Sequence, residues 1–124
     1  MSVRCADVFD LLKECEQKKE QFDLIILDPP AFTKSAKAIE KAYGGYKEIN
    51  LRAMKILKKG GILVTCSCSH FFDSNMFYGM IHNAAVDAKR RIQILEKRGA
   101  GSDHPILMGY PKSDYLKCAI LRVL

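Results

Sequence analysis

The chain has 124 residues, of which 48% are hydrophobic and 27% charged. That is the profile of one folded domain and excludes fibrous and disordered classes. The longest apolar runs, such as Leu24 to Leu27 and Ile62 to Val64, fall far short of the ~18–20 residues of a membrane span. No membrane partner and no export signal are expected. Five cysteines, with no disulfide-framework spacing, are expected as reduced thiols in a cytoplasmic protein. A net charge of +6 suits a polyanionic partner, because neutralised phosphates release counterions. The plain alternative is a solvated, soluble surface.

After an ambiguous start at Met1 to Cys5, Val8, Leu11, Leu12 and Cys15 recur at helical spacing, with Asp7 placed to cap the helix. Phe22 to Leu27 is a continuous apolar run, which predicts a strand covered on both faces in a parallel sheet. Asp28-Pro29-Pro30 stops it, since proline has no N–H for a ladder and restricts its predecessor.

From Ser35 to Lys58, apolar residues three and four apart predict one long helix or two abutting ones. Gly44-Gly45 should weaken or kink it, and Gly60-Gly61 should end it, with Lys58 and Lys59 at the negative end of the helix dipole. Ile62 to Cys68 reads as a second buried strand, and Asp73 or Ser74 as the cap of a third helix. Arg91 to Leu95 and Tyr115 to Leu124 read as two further strands, paired antiparallel across the intervening loop. The order predicts an α/β fold with parallel strands.

In open α/β sheets the active cleft lies at the carboxyl ends of the strands. Two such ends are unusual here. At the first, Asp28-Pro29-Pro30-Ala31-Phe32, an acid leaves a buried strand into a turn stiffened by two prolines. Asp28 can hydrogen-bond a planar polar group there and Phe32 can stack on a ring; the alternative is a plain strand-ending turn. At the second, Thr65-Cys66-Ser67-Cys68-Ser69-His70, a thiol at a strand end is a candidate nucleophile once deprotonated. The alternative is a small buried hydrophobe.

Cys66, Cys68 and His70 share parity along a strand, but they lack the loop spacing of a zinc site, so no metal is expected. Asp7 either caps its helix or meets a ligand, with capping favoured. Tyr43, Tyr46, Lys47 and Lys55 offer rings and charge to RNA, although tyrosines at helical spacing more often belong to a core.

The run Asp7-Val8-Phe9, FDLIILDPPAF, GGILVTCSCS, SDHP and YLKCAILRV resembles the bacterial 23S ribosomal RNA cytosine-C5 methyltransferases, a class I family that uses S-adenosyl-L-methionine. The similarity runs over nearly the whole chain. It implies a Rossmann-like methyltransferase sheet and ribosomal RNA as partner. By resemblance, Asp7 contacts the adenine amino group of the cofactor. Asp28, Pro29 and Pro30 form the loop that sets the target base beside the methyl donor, with Phe32 on the substrate. Cys68 matches the nucleophile, with Asp28 beside it in the chemistry, and Cys66 ranks second. An amino-group methyltransferase of the same fold is the nearest alternative. A catalytically silent domain that binds RNA or itself is the more distant one.

The chain departs from the family: its cofactor-binding half and its small RNA-binding domain are not found in this sequence. No Gly-rich strand-to-helix turn lies before Asp7, and no acidic residue for the cofactor ribose follows one. Residues 1–124 therefore read as the C-terminal part of a methyltransferase catalytic domain, with Met1 an artificial start and little activity in isolation. Of the family's sheet order 3-2-1-4-5-7-6, only strands 4, 5, 7 and 6 are expected. The strand Phe22 to Leu27 then becomes an apolar edge that invites a homodimer or aggregation.

Overall fold

A computed structural model describes residues 5–29, 38–68, 72–98 and 116–124. Seven elements follow in chain order: α1 (Val8–Gln17), β1 (Phe22–Leu27), α2 (Ile39–Lys55), β2 (Leu57–Ser67), α3 (Ser74–Ala88), β3 (Ile92–Arg98) and β4 (Lys117–Val123). The strands form one sheet in the order β1-β2-β4-β3. β1 runs parallel to β2, while β4 is antiparallel to both β2 and β3. This is the 4-5-7-6 half of a methyltransferase sheet, as the resemblance implied.

Side-chain alternation divides the sheet into two unlike faces. On β2 and β4, Leu63, Thr65, Ser67, Lys117, Ala119, Leu121 and Val123 are buried. Leu63, Ala119, Leu121 and Val123 share a core with Tyr46, Ile49 and Met54 of α2 and Phe77, Met80 and Ile81 of α3. On the other face the register aligns Leu24 with Ile62, Ile26 with Val64, Val64 with Ile120, and Cys66 with Cys118. None of these seven residues is buried, and Leu24 and Ile26 are 54% and 64% exposed. The apolar run of β1 thus predicted a strand covered on both faces, and the described residues cover only one. An unbroken apolar run shows that a strand suits burial, not that a second layer is present.

The helices follow their local chemistry. Asp73 caps α3 by accepting from the Met76 N–H at 2.8 Å. Lys89 closes it in the left-handed conformation at φ 58°. Arg90 donates through Nη1 to the carbonyls of Met54 and Leu57 at 3.0 and 2.9 Å. That contact ties the exit of α3 to the junction of α2 and β2.

Two glycine pairs behave differently from expectation. Helix α2 continues through Gly44-Gly45 without interruption, because Ala42, Tyr46, Ile49 and Ala53 hold its inner face in the core on both sides of the pair. Tertiary burial outweighs the glycine cost of about 1 kcal/mol per residue. The helix stops at Lys55, and Gly60-Gly61 lie inside β2 together with Lys58 and Lys59. The two lysines therefore do not meet the helix dipole.

Between the pairs Phe22↔Leu57 and Leu24↔Ile62, one residue of β1 faces four of β2, so residues 58–61 bulge out. Gly60 takes φ +86°, and a Cβ on Gly61 would lie 2.8 Å from the Lys58 carbonyl oxygen. The pair makes a bulge that a side chain at either position would strain.

Candidate active site

The carboxyl end of β1 and the head of α1 converge. A cavity of about 410 Å³ is lined by Asp7, Phe9, Ile26, Asp28, Pro29 and Ile49, among others. Asp7 and Asp28 lie 21 positions apart in the chain, and the fold sets both at one apolar-walled cleft.

Asp7 is the helix cap that its position predicted. Its Oδ1 accepts from the N–H groups of Phe9 at 2.9 Å and Asp10 at 3.3 Å. Both bonds use one oxygen, so capping leaves Oδ2 able to accept from a ligand in the cleft. The two readings of Asp7 are compatible.

Asp28 is exposed at the end of β1. The parallel register aligns Leu27 with Thr65, so Asp28 and Cys66 emerge side by side at the carboxyl ends of their strands. Cys68 lies just beyond the last residue of β2 and is half-buried. It is not among the residues that line the Asp7–Asp28 cleft. Pro30, Phe32, His70 and the SDHP segment fall outside the described residues. Among the described residues, no group of three histidine, cysteine or acidic side chains is arranged for a metal ion.

Cys66 carries a perturbed thiol at this end of the sheet. Its Sγ lies 3.1 Å from the Sγ of Cys118, to which it donates. Burial, then the bond to Cys118, then the nearby charges of Cys118, Asp28 and Cys68 push its pKa up to about 12. A thiol held protonated is a poor nucleophile at neutral pH.

The tyrosines and lysines of α2 are mostly committed to packing and pairing. Tyr46 is fully buried and stacks on Phe72, ring centroids 4.8 Å apart. Tyr43 is half-buried and accepts through Oη from Asn83. Lys47 pairs with Asp87 at 2.6 Å, and Lys55 with Glu16 at 3.5 Å. They belong to the α1–α2–α3 layer.

A second cavity, of about 420 Å³, escaped the sequence reading. It is lined by Ser74, Asn75 and Tyr78 at the head of α3, with Lys97, Arg98 and Lys117 from β3 and β4. Lys97 places Nζ 4.3 Å from the centre of the Tyr78 ring. The antiparallel pairing of β3 with β4 brings Lys117 beside Lys97 and Arg98, about twenty residues earlier in the chain.

Comparison with known proteins agrees with this architecture. Protein-family models give no match. The ribosomal RNA large subunit methyltransferase I of Photobacterium profundum is 46% identical over 112 residues, which is 90% of this chain and 28% of that protein. The protein of the same name from Aeromonas salmonicida is 46% identical over 94% of this chain and 29% of its own length.

The chain resembles the ribosomal RNA methyltransferases. It spans about 30% of the length of the curated relatives it matches. Among solved structures, SMU.776, assigned as a methyltransferase and complexed with SAH, superposes with a TM-score of 0.79. It is 23% identical, over 95% of this chain and 30% of that one. A methyltransferase homolog from Pyrococcus horikoshii gives 0.63 at 22% identity, over 91% and 42% of the two chains. At these identities the structures establish the fold: a methyltransferase sheet with its helices.

Proposed function

We propose that this chain is the C-terminal part of an S-adenosyl-L-methionine-dependent ribosomal RNA methyltransferase that methylates cytosine at C5 through Cys68. The observation that carries the reading is the meeting of Asp7 and Asp28 at one cleft, in a chain 46% identical to ribosomal RNA methyltransferases.

The residues fit the cofactor. An adenine ring needs apolar walls and an acceptor for its exocyclic amine; Phe9, Ile26 and Ile49 supply walls and Asp7 the acceptor. When bound, S-adenosyl-L-methionine supplies an electrophilic methyl group on sulfonium.

The protein's part of the chemistry is to activate the base. C5 of cytosine is a weak nucleophile. The Cys68 thiolate adds to C6, forming an S–C6 bond and giving C5 enamine character. Asp28 hydrogen-bonds N3 or the exocyclic amine and stabilises the adduct. Once C5 carries its methyl, a base removes the C5 proton, the C5–C6 double bond re-forms and the Cys68 sulfur leaves. The target base has to be unstacked to reach the thiol, which favours single-stranded or remodelled RNA. Lys97 and Arg98 offer cations to the RNA backbone close to this end of the sheet.

The decisive experiment uses the complete enzyme with RNA containing 5-fluorocytosine. A covalent adduct that survives denaturation and disappears in Cys68→Ala supports C5 methylation. Methyl transfer with no adduct, undiminished in Cys68→Ala, supports amino-group methylation. Salt-sensitive RNA binding with neither methyl transfer nor S-adenosyl-L-methionine binding supports the silent binding domain.

β1 is an edge strand with Phe22, Leu24 and Ile26 exposed. We propose that the 124-residue chain on its own self-associates through Phe22 to Leu27.

A further inference from the structure

Five cysteines with no framework spacing read as unconnected thiols. The fold joins two of them. Cys66 of β2 and Cys118 of β4, 52 residues apart in sequence, sit directly opposite in the antiparallel register. Their sulfurs are 3.1 Å apart, about 1 Å beyond the length of a disulfide bond. The strands are already paired on both sides of this position, from Ile62↔Arg122 to Ser67↔Lys117. Bringing the sulfurs into bonding distance therefore calls for side-chain rotation rather than backbone movement. Both residues are half-buried on the sheet face away from the core, where a small oxidant can reach them.

We propose that Cys66 and Cys118 form a redox-sensitive dithiol that a peroxide closes to an intramolecular disulfide. One thiolate attacks a peroxide oxygen: an S–O bond forms, the O–O bond breaks and hydroxide leaves, giving a sulfenic acid. The second thiolate attacks that sulfur: the S–S bond forms and a second hydroxide leaves. The two protons lost by the thiols convert both hydroxides to water. The pair is oxidised by two electrons and the peroxide is reduced by two.

Cys68 takes no part, so its thiol remains free beside the closed bridge. The proposal is independent of the methyl-transfer reading, because it requires only the β2–β4 register. Burial and the contact with Cys118 hold the Cys66 thiol protonated, so closure is slow at neutral pH and accelerates in alkali.

The test treats the 124-residue chain with hydrogen peroxide and maps its peptides without reduction. The expected result is a peptide pair linking Cys66 to Cys118, with two of the five thiols lost, Cys68 still alkylatable, and recovery of both thiols with dithiothreitol. The bridge closes a long loop, so the oxidised chain should melt higher than the reduced chain by roughly 10 °C. Cys118→Ser should remove the link and the shift together. A bridge from Cys66 to Cys68, a bridge between chains, or sulfinic acid at Cys66 with no bridge would each overturn the proposal. The peptide map of the unsubstituted chain decides the question even where Cys118→Ser does not fold.

Discussion

Asp7 and Asp28 approach one cleft from different elements, the first at the head of α1 and the second at the tail of β1. The first is anchored through Oδ1 to two backbone N–H groups, whereas the second stands exposed. That difference predicts different consequences for the two carboxylates.

Asp7→Ala removes a helix cap and should cost about 1 kcal/mol of stability, read by urea denaturation. Asp7→Asn retains an oxygen at the cap and should cost much less, yet it places a donor where a ligand amine would sit. If Asp7 binds the cofactor, Asp7→Asn in the complete enzyme weakens S-adenosyl-L-methionine binding in calorimetry while leaving stability nearly unchanged. Equal affinity for the asparagine and wild-type enzymes would leave Asp7 as a cap alone.

Helix α1 is tied to α2 through Glu16 and Arg52. The guanidinium donates to Glu16 at 2.7 Å and to Glu48 at 3.0 Å. The hydrogen bond from Arg52 holds the Glu16 carboxyl below its ordinary value near 4.5. The stabilisation is complete above that ordinary value and is lost as pH falls through the lowered folded-state value. Both side chains are partly exposed, at 26% and 33%, so the pair contributes about 0.5 kcal/mol. Stability curves of wild type and Glu16→Gln should lie apart by that amount at pH 7 and converge in acid. A gap that persists at pH 2 would assign the effect to packing.

The open sheet face makes a prediction about assembly. Ile26 is 64% exposed on the edge strand β1. If β1 carries self-association, Ile26→Lys puts a charge on that edge and should shift the chain from dimer or larger species to monomer in sedimentation velocity. Its stability should change by less than about 1 kcal/mol, since an exposed side chain contributes little to the core. A wild-type chain that stays monomeric at high concentration would refute association through this strand.

Much of this molecule is written locally. The α1 stripe, the Asp7 and Asp73 caps, and the FDLIIL strand with its end at Leu27 each depend on residues within a few positions of one another, and each appears where its chemistry requires. The paired DPPAF and TCSCS segments disclosed the fold class and the candidate residues before any contact was known. The glycine pairs show where local reading stops: Gly44-Gly45 look like helix breakers, and only the packing of Tyr46 and Ile49 overrides them, while Gly60-Gly61 look like a helix end and instead form a bulge set by the β1 register.

Sequence alone determined most of the elements, their order and the candidates for chemistry, because periodicity, capping and turn formation are short-range effects. Tertiary structure alone decided the rest: that Asp7 and Asp28 share a cleft, that Cys66 meets Cys118 at 3.1 Å, that Lys97 and Lys117 line one cavity, and that Leu24 and Ile26 stand exposed on one sheet face. Each of these depends on strand register between distant segments. Register is set by burial of a whole face at once, so no local window of sequence contains it.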